Sequence, residues 1–316
     1  MSATVLLVGG FGNLGGRIAA HLSQSQNHHI VLASRKKQVA PDWAKSAQTI
    51  QLDLTDPTTF SNIPNSVNCI IQLAGTNDVD SVQNPELAHK VTTAGTTALL
   101  NNAIRQGIQR FIYFSTAHVY GAPLTGDFTE ESPTNAVHPY ATTHLEAESA
   151  VGAAHDRGEI QGLRVRLSNG YGRPMAYEAA DWRTLTSDLC RQAVLEKRME
   201  MRTDGLQERN FITKTDISRA VQHLIELPKI QVGDGLFNLG GSQSQTLLAM
   251  AETIQNRAKT KFNVEIPLHR PEPTTSKIQH LNFDIKKLLQ TGFSLTEDTA
   301  GEIDDFLDMI ELHKRS

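Results

Sequence analysis

The sequence has 316 residues, 39% of them hydrophobic, and can therefore bury a sizeable core as one large domain or two smaller ones. Its net charge of −4 arises from mixed charges without a long basic run, which argues against nucleic acid and acidic membrane surfaces as partners. With no apolar stretch near the roughly 20 residues that span a bilayer and no signal-peptide pattern, we expect a cytoplasmic protein that acts on small molecules.

The first half of the chain alternates apolar runs with helical patterns. The apolar runs, each of strand length, are residues 5–8, 30–33, 49–52, 69–74, 111–114 and 163–167. The clearest helix candidate is 85–106, whose apolar residues recur on one side. This rhythm predicts a parallel sheet with helices on both faces.

After residue 171 the alternation loosens, which indicates a second lobe. The pattern predicts an amphipathic helix at 181–196, a polar loop at 203–209, a strand at 211–213 and a helix at 216–227. A strand at 236–239 and a helix at 246–258 follow, then an extended or loop-like stretch at 267–273 and a closing helix at 297–312.

The two cysteines do not point to a disulfide framework or a metal site. Cys69 lies in an apolar run and Cys190 in a helical pattern, and neither has metal-ligand spacing. We expect both to be reduced and structural, and we predict no metal.

The first apolar run ends in glycines, VLLVGGFGNLGGR at residues 5–17. The spacing of Gly9, Gly12 and Gly15 suits a tight turn between a strand and a helix, where the backbone comes close to a phosphate. Free amides and the positive end of the helix dipole favour a pyrophosphate. We predict that the turn, including Asn13 and Leu14, binds a dinucleotide; a glycine-rich turn without a ligand is the alternative.

In a dinucleotide-binding fold, residues at the end of the second strand bind the adenosine ribose. In this chain that position carries Ser34, Arg35, Lys36 and Lys37. A carboxylate would bind the 2′-hydroxyl, whereas a guanidinium can grip a 2′-phosphate through paired hydrogen bonds. The cofactor-binding prediction therefore includes Ser34, Arg35 and Lys36, and it favours NADP while leaving NAD open. A solvated cationic face is the alternative.

Eight motifs lie at intervals along the chain. They are GGFGNLGG at 9–16, LDLTD at 52–56, QLAG at 72–75, FSTAHVYG at 114–121, PYATTH at 139–144, RLSNGYG at 166–172, ERNFI at 208–212 and FNLGG at 237–241. In order and spacing they resemble the extended short-chain dehydrogenase/reductase family of nucleotide-sugar epimerases, dehydratases and reductases. The resemblance implies an α/β fold, a Rossmann-type doubly wound parallel sheet with a smaller C-terminal substrate lobe. We expect the NAD(P)-binding domain at 1–168, with 210–240 returning to it, and the substrate lobe at 169–316.

The resemblance also implies contacts along the cofactor and a pairing of helices into a homodimer. Carried over position by position, it gives Asp53 and Leu54 to the adenine. It gives Leu73, Ala74 and Gly75 to the middle of the cofactor.

For catalysis, the resemblance implies Thr116 and Tyr140. Tyr140 would exchange a proton with a sugar hydroxyl or carbonyl, and Thr116 would hold the same oxygen. The family places a lysine four residues after this tyrosine, and the charge of that lysine lowers the pKa of the phenol. This chain has His144 instead, which is mostly neutral above neutral pH and lowers the phenol pKa less. We expect His144 to contact the cofactor ribose, with a purely structural histidine as the alternative.

On the substrate side, Asn169 and Arg209 resemble the residues with which relatives hold the sugar and diphosphate of a nucleotide sugar. Dehydratases of the family carry an acidic pair after the threonine, whereas this chain has Ala117 and His118, which disfavours dehydration. His118 is a candidate substrate contact or a histidine that merely packs at the mouth of the sheet.

These residues predict an NAD(P)-dependent oxidoreductase that acts on a nucleotide-linked sugar. Without the lysine, Tyr140 stays protonated at neutral pH, which handicaps oxidation more than reduction. We therefore expect reduction of a ketosugar, with a nucleotide-sugar epimerase as the alternative. A cofactor-binding protein that lost turnover with its lysine is a second alternative.

Overall fold

The computed structural model describes residues 3–25, 27–273 and 280–315. Within these ranges the strands are β1 (Ala3–Val8), β2 (His28–Ser34), β3 (Gln48–Gln51), β4 (Val67–Gln72), β5 (Arg110–Thr116), β6 (Gly126–Phe128), β7 (Gln161–Leu167), β8 (Asn169–Tyr171), β9 (Met199–Glu200), β10 (Glu208–Thr213), β11 (Leu236–Leu239), β12 (Ser244–Thr246), β13 (Leu268–His269) and β14 (Leu281–Phe283). The α-helices are α1 (Gly15–Gln24), α2 (Asp78–Gln83), α3 (Pro85–Ala88), α4 (Thr96–Arg105), α5 (Pro139–Asp156), α6 (Leu185–Leu195), α7 (Lys214–Glu226), α8 (Leu247–Phe262), α9 (Lys286–Leu289) and α10 (Thr299–Arg315).

The central sheet contains seven strands in the order β11-β7-β5-β4-β1-β2-β3, and every neighbouring pair is parallel. The chain moves outward from β1 to β3 and then returns to β4, on the other side of β1. Ligands of such sheets bind where the strand order reverses, at the carboxyl ends of the strands. The predicted α/β fold with a doubly wound parallel sheet is confirmed.

Each face of the sheet has its own hydrophobic core because side chains alternate along a strand. On β1, Val5 and Leu7 pack in the cluster that contains α1 and α7, whereas Leu6 and Val8 pack in the cluster that contains α4 and α5. All four side chains are buried, and each contributes about 1.5–3 kcal/mol relative to an exposed position. The two faces together hold β1 and the glycine-rich turn in place.

The helix predicted at 85–106 is present but is not uniform. It consists of α3, a π-helical segment at His89–Gly95, and α4. Gly95 passes close to the backbone of Leu54, where a Cβ atom would lie 2.8 Å from the Leu54 carbonyl oxygen. This close approach brings the helix against the loop that follows β3.

Residues after 168 contribute to both lobes. β8, β10 and β12 form a separate small sheet, and α6, α8 and α10 share a hydrophobic cluster. β11, however, pairs with β7 at the edge of the central sheet, and α7 packs beside α1. The domain boundaries proposed from the sequence stay predictions.

Several predicted boundaries shift for local reasons. The helix predicted from 216 begins at Lys214, because the Thr213 hydroxyl caps it by accepting from the Asp216 amide at 3.0 Å. The helix predicted from 181 begins at Leu185, because Asp181 forms a turn and accepts from the Arg183 amide. The strand predicted at 69–74 ends at Gln72, and the next residues leave the sheet.

The two cysteines are buried and free. Burial raises the pKa of each thiol to about 12, so both stay protonated at neutral pH. In the described ranges, no helix combines the length and the apolar character required to cross a bilayer.

Candidate active site

The glycine-rich turn joins β1 to α1 with a backbone that only glycine accommodates well. Gly9 has φ +91°, and the Gly12 amide donates to its carbonyl at 3.0 Å. A Cβ atom on Gly15 would overlap the same carbonyl oxygen. No side chain caps the N-terminus of α1 at Leu14, so its dipole is available to an anion.

A cavity of about 780 Å³ extends from this turn across the carboxyl ends of β1, β2 and β4. Nine of the predicted cofactor residues line it: Gly9, Gly12, Ser34, Arg35, Asp53, Leu54, Leu73, Ala74 and Gly75. Asn13, Leu14 and Gly15 belong to the turn but do not line the cavity, and neither does Lys36. The contacts themselves stay predictions.

The cavity suits a dinucleotide in shape and in chemistry. The turn presents backbone at Gly9, where a Cβ atom would lie 3.2 Å from the Ala74 amide nitrogen. Gly9 and Gly12 of the turn that leads into the uncapped helix α1 line the cavity, and so do the polar side chains of Ser34, Arg35 and Asp53. The described residues therefore fit the cofactor that the sequence predicts.

The adenosine end carries both an acid and a guanidinium. Asp53 accepts hydrogen bonds from the Thr55 amide and hydroxyl, both at 2.8 Å, and these bonds and the charge of Arg35 lower the pKa of its carboxyl. Arg35 is exposed; its backbone carbonyl accepts from the Gln51 side chain, but among the described residues its guanidinium makes no hydrogen bond or ion pair. A 2′-phosphate would give it a partner, but the NADP preference stays a prediction.

Thr116 and Tyr140 come together at the carboxyl end of β5. Thr116 is the last residue of β5, and Tyr140 lies in the first turn of α5, where its amide donates to Nδ1 of His138 at 3.2 Å. The Thr116 hydroxyl lies close enough to the Tyr140 phenol to act on its pKa. Burial raises the pKa of the Tyr140 phenol, the polar interaction with Thr116 opposes this, and the charge of Asp78 adds to the increase.

His144 lies one helical turn after Tyr140, and the two ring centroids are 4.5 Å apart. The imidazole is buried, which lowers its pKa to about 4, and its Nδ1 lies 2.8 Å from the hydroxyl of Tyr113. A Cβ atom on Gly75 would lie 3.6 Å from Nε2, so the ring borders the wall of the cavity. His144 is therefore a neutral residue between the cavity and the core.

His118 and Arg209 lie near Thr116 and Tyr140, whereas the Asn169 side chain is hydrogen-bonded to another strand. The His118 ring meets Tyr140 edge-on at 6.4 Å, and desolvation followed by the charge of Arg209 lowers its pKa. Arg209 donates to the Glu208 carbonyl and the Gln207 side chain. The Asn169 amide donates to the Asn210 carbonyl at 2.9 Å.

Sequence reasoning missed the segment that follows β4, which supplies Thr76, Asn77 and Asp80 to the cavity. It also missed Asp78, whose charge acts on both Tyr140 and His118. Their signal was their position, because polar residues directly after a central parallel strand lie where such sheets bind ligands. Tyr113 was missed because its position in an apolar strand marks it as core.

A family model for the NAD dependent epimerase/dehydratase family matches residues 5–240. UDP-glucose 4-epimerase GEPI48 of Cyamopsis tetragonoloba is 27% identical over 301 residues, which covers 85% of each chain. UDP-N-acetylglucosamine 4-epimerase from Methanobrevibacter ruminantium, in complex with UDP-N-acetylmuramic acid, has a TM-score of 0.83 at 18% identity over 100% of both chains.

UDP-glucuronic acid 4-epimerase from Bacillus cereus, in complex with UDP-glucuronic acid and NAD, has a TM-score of 0.78 at 20% identity over 98% of this chain and 99% of that one. These likenesses in structure extend over both lobes of the fold. The resemblance drawn from the eight motifs is confirmed. The chain belongs to the NAD dependent epimerase/dehydratase family.

Proposed function

We propose that the protein is an NAD(P)-dependent epimerase that inverts one carbon of a nucleotide-linked sugar. The observation that supports this most is that the Thr116 hydroxyl and the Tyr140 phenol come together beside a cavity that fits a dinucleotide. The relative that is 27% identical over 85% of this chain is a UDP-glucose 4-epimerase, which favours this alternative over the ketosugar reduction expected from the sequence.

In the proposed site, the glycine-rich turn holds the diphosphate of the cofactor and Arg35 lies at the adenosine end. We retain NADP as the preferred form because the Arg35 guanidinium makes no hydrogen bond or ion pair among the described residues and is free to bind a 2′-phosphate. The B. cereus epimerase holds NAD, which keeps NAD open here. The nicotinamide supplies hydride transfer when it is bound.

The chain's own residues then move one proton in each direction. Tyr140 accepts the proton of the sugar hydroxyl during oxidation and returns a proton to the carbonyl oxygen during reduction. Thr116 holds the same oxygen by a hydrogen bond. His144 lies on the cavity side of Tyr140, where it can hydrogen-bond a ribose hydroxyl but carries no charge at neutral pH.

The nucleotide sugar itself is placed by His118 and Arg209 at the mouth of the site. Desolvation lowers the pKa of the Arg209 guanidinium, although it stays charged at neutral pH, and a diphosphate would compensate that charge. We keep Asn169 as a substrate-side residue whose amide must exchange its present acceptor to reach the sugar. The homodimer implied by the family resemblance stays a prediction.

Reduction of a ketosugar is the second candidate, and one observation favours it. Tyr140 has a raised pKa and the neighbouring His144 is neutral, so the phenol is protonated at neutral pH. A protonated phenol is the donor that a carbonyl needs when it accepts hydride. An epimerase must also oxidise the sugar, a step that needs Tyr140 as a phenolate. Because little phenolate is present at neutral pH, we expect this step to be slower than reduction.

The test supplies the protein with nucleotide sugars in both oxidation states and follows the sugar by NMR and the nicotinamide by absorbance. An epimerase interconverts two sugars without a net change in absorbance. A reductase consumes one reduced dinucleotide for each sugar, and binding without either reaction would contradict both proposals.

Tyr140→Phe removes the proton-transfer group and should lower turnover about 10²- to 10⁴-fold while dinucleotide binding persists. Tyr177→Phe is the matched control, because this ring stacks on His313 in the other lobe. Equal activity of Tyr140→Phe and the control would exclude the assigned role.

A further inference from the structure

Lys214 is a buried lysine behind the glycine-rich turn. Its side chain emerges from the first residue of α7, and the residue is 3% exposed. Nζ donates to Oδ1 of Asn13 at 2.6 Å and to the carbonyl oxygen of Gly172 at 2.7 Å. Both acceptors are neutral, and within the described ranges Lys214 forms no ion pair.

The charges around Lys214 are engaged with other groups. Arg17 of α1 pairs with Glu302 of α10 at 3.1 Å, and that carboxylate also accepts from the amide and hydroxyl of Thr215. Asp181, in the loop before α6, pairs with Arg183 at 2.8 Å. These are the charged groups that act on Lys214, and none is a direct partner.

A cation in this position is costly for two reasons. It lies at the N-terminus of a helix, where the dipole is positive, and it is removed from water. Desolvation lowers the pKa of Lys214 to about 7; the charge of Arg17 adds to this effect, whereas the charges of Glu302 and Asp181 oppose it. The ammonium group has three donors, and two of them are used in the structure.

Asn13 connects this lysine to the turn. It lies between Gly12, which lines the cavity, and Gly15, the first residue of α1, whose N-terminus has no side-chain cap. We propose that Lys214 is a positioning residue for the cofactor, which fixes the turn through Asn13 and places a positive charge behind the bound diphosphate. The inference rests on the proposed binding of a dinucleotide at this turn.

The arrangement links binding to proton uptake. A diphosphate near the turn favours the charged form of Lys214 and raises its pKa. In the free protein Lys214 is largely neutral above pH 7, so each binding event then takes up a proton. The affinity should fall by about tenfold for each pH unit above 7 until the pKa of the complex is reached.

Titration calorimetry of the full chain with NAD between pH 6.5 and 8.5, in two buffers of different ionisation enthalpy, measures affinity and proton uptake directly. NAD is the suitable probe because the 2′-phosphate of NADP would itself titrate near pH 6. His144, with a pKa of about 4, does not titrate in this range. We expect proton uptake approaching one per NAD at pH 8.

Lys214→Met should bind NAD about tenfold more weakly at pH 6.5 and without proton uptake. Lys214→Arg keeps a charge throughout the range, so its affinity should exceed that of Lys214→Met and not depend on pH. Lys229→Met, beyond the other end of α7, is the control and should behave as the parent protein. Circular dichroism of each variant checks folding, and proton uptake by the parent protein tests the inference without any variant.

If the parent protein binds NAD with an affinity that is constant from pH 7 to 8.5, Lys214 does not have this role and the proposed function stands. If neither NAD nor NADP binds at millimolar concentration, the proposed function fails instead. Equal proton uptake by Lys214→Met and the parent protein would assign the titration to another group.

Discussion

The Tyr113 hydroxyl lies 2.8 Å from Nδ1 of His144. His144 follows Tyr140 by one turn of α5. Burial raises the pKa of Tyr113 well above its usual value and lowers that of His144, so the pair is neutral at neutral pH. The family resemblance implies a lysine at position 144. This chain therefore has a neutral hydrogen-bonded pair beside Tyr140 in place of a cation. We expect Tyr140 to abstract a proton more slowly as a result.

His144→Lys should speed oxidation more than reduction. An ammonium group beside a phenol lowers the phenol pKa by about 1–3 units, which raises the phenolate fraction at neutral pH at least about tenfold. The pH-rate profile for oxidation of a hydroxy sugar should shift to lower pH by the same amount. His144→Gln keeps the site neutral and should leave the profile in place, whereas a shift in both variants would contradict the electrostatic explanation.

His144 also makes the stability of the fold depend on pH. Its pKa is about 4 in the folded protein and about 6.5 when unfolded, so between these values the unfolded chain binds more protons. Stability therefore rises with pH across this window and is constant with respect to this group above about pH 7. At pH 5 the expected loss relative to pH 7.5 is about 2 kcal/mol.

Urea unfolding at pH 5 and 7.5 measures this contribution, with His144→Gln as the reference because its amide does not titrate. The parent protein should lose about 2 kcal/mol more than the variant on acidification. The other histidines contribute equally to both proteins and cancel in the comparison. Identical losses would show that His144 is protonated in the folded state at pH 5.

Much of the fold follows from the sequence because its signals are local. The apolar run at 5–8 is buried on both faces of a parallel sheet, and the glycines that follow must turn the chain sharply. The same locality explains why nine predicted cofactor residues line one cavity, since each lies at the end of a strand or in the turn or loop that follows it. The order of the strands, and the place where that order reverses, depend on the same strands and turns.

The rest of the site depends on contacts between distant parts of the chain. Lys214 and Asn13 are 201 positions apart, and Tyr113 and His144 are 31 apart, so no local pattern pairs them. Asn169 depends on a distant contact in the same way. Its motif matches the family, but a hydrogen bond to the Asn210 carbonyl sets where its side-chain amide points, and its role toward the substrate stays a prediction.

Arg35→Asp should reverse the cofactor preference. Arg35 lines the cavity and has no ion pair among the described residues, whereas a carboxylate there would bind a 2′-hydroxyl and repel a 2′-phosphate. We expect the parent protein to favour NADP by at least tenfold, about 1.4 kcal/mol, and the variant to favour NAD. Calorimetry with both cofactors measures the ratio.

Lys37→Asp is the matched control for charge, since Lys37 lies two residues further along, is exposed and does not line the cavity. It should leave the preference for NADP nearly unchanged. A reversal by Lys37→Asp as large as that by Arg35→Asp would point to a general surface potential. A parent protein that favours NAD tenfold would refute the assignment of Arg35 to a 2′-phosphate.

Gly15→Ala and Gly16→Ala should differ sharply although the two residues are adjacent in α1. A methyl group on Gly15 would overlap the Gly9 carbonyl oxygen and lie 2.9 Å from the Cα of Gly10. Both atoms are backbone, so the turn must open to accept it. On Gly16 the methyl group would lie 3.4 Å from the flexible Met175 side chain, and alanine is the better helix former by up to about 1 kcal/mol.

We therefore expect Gly15→Ala to lose about 1–3 kcal/mol of stability in urea unfolding and to bind either dinucleotide at least about 100-fold more weakly, because the amides no longer converge on the diphosphate. Gly16→Ala should bind as the parent protein does and unfold at an equal or higher urea concentration. Normal dinucleotide affinity in Gly15→Ala would mean that the turn does not form the diphosphate site, and the cavity would then require a different ligand.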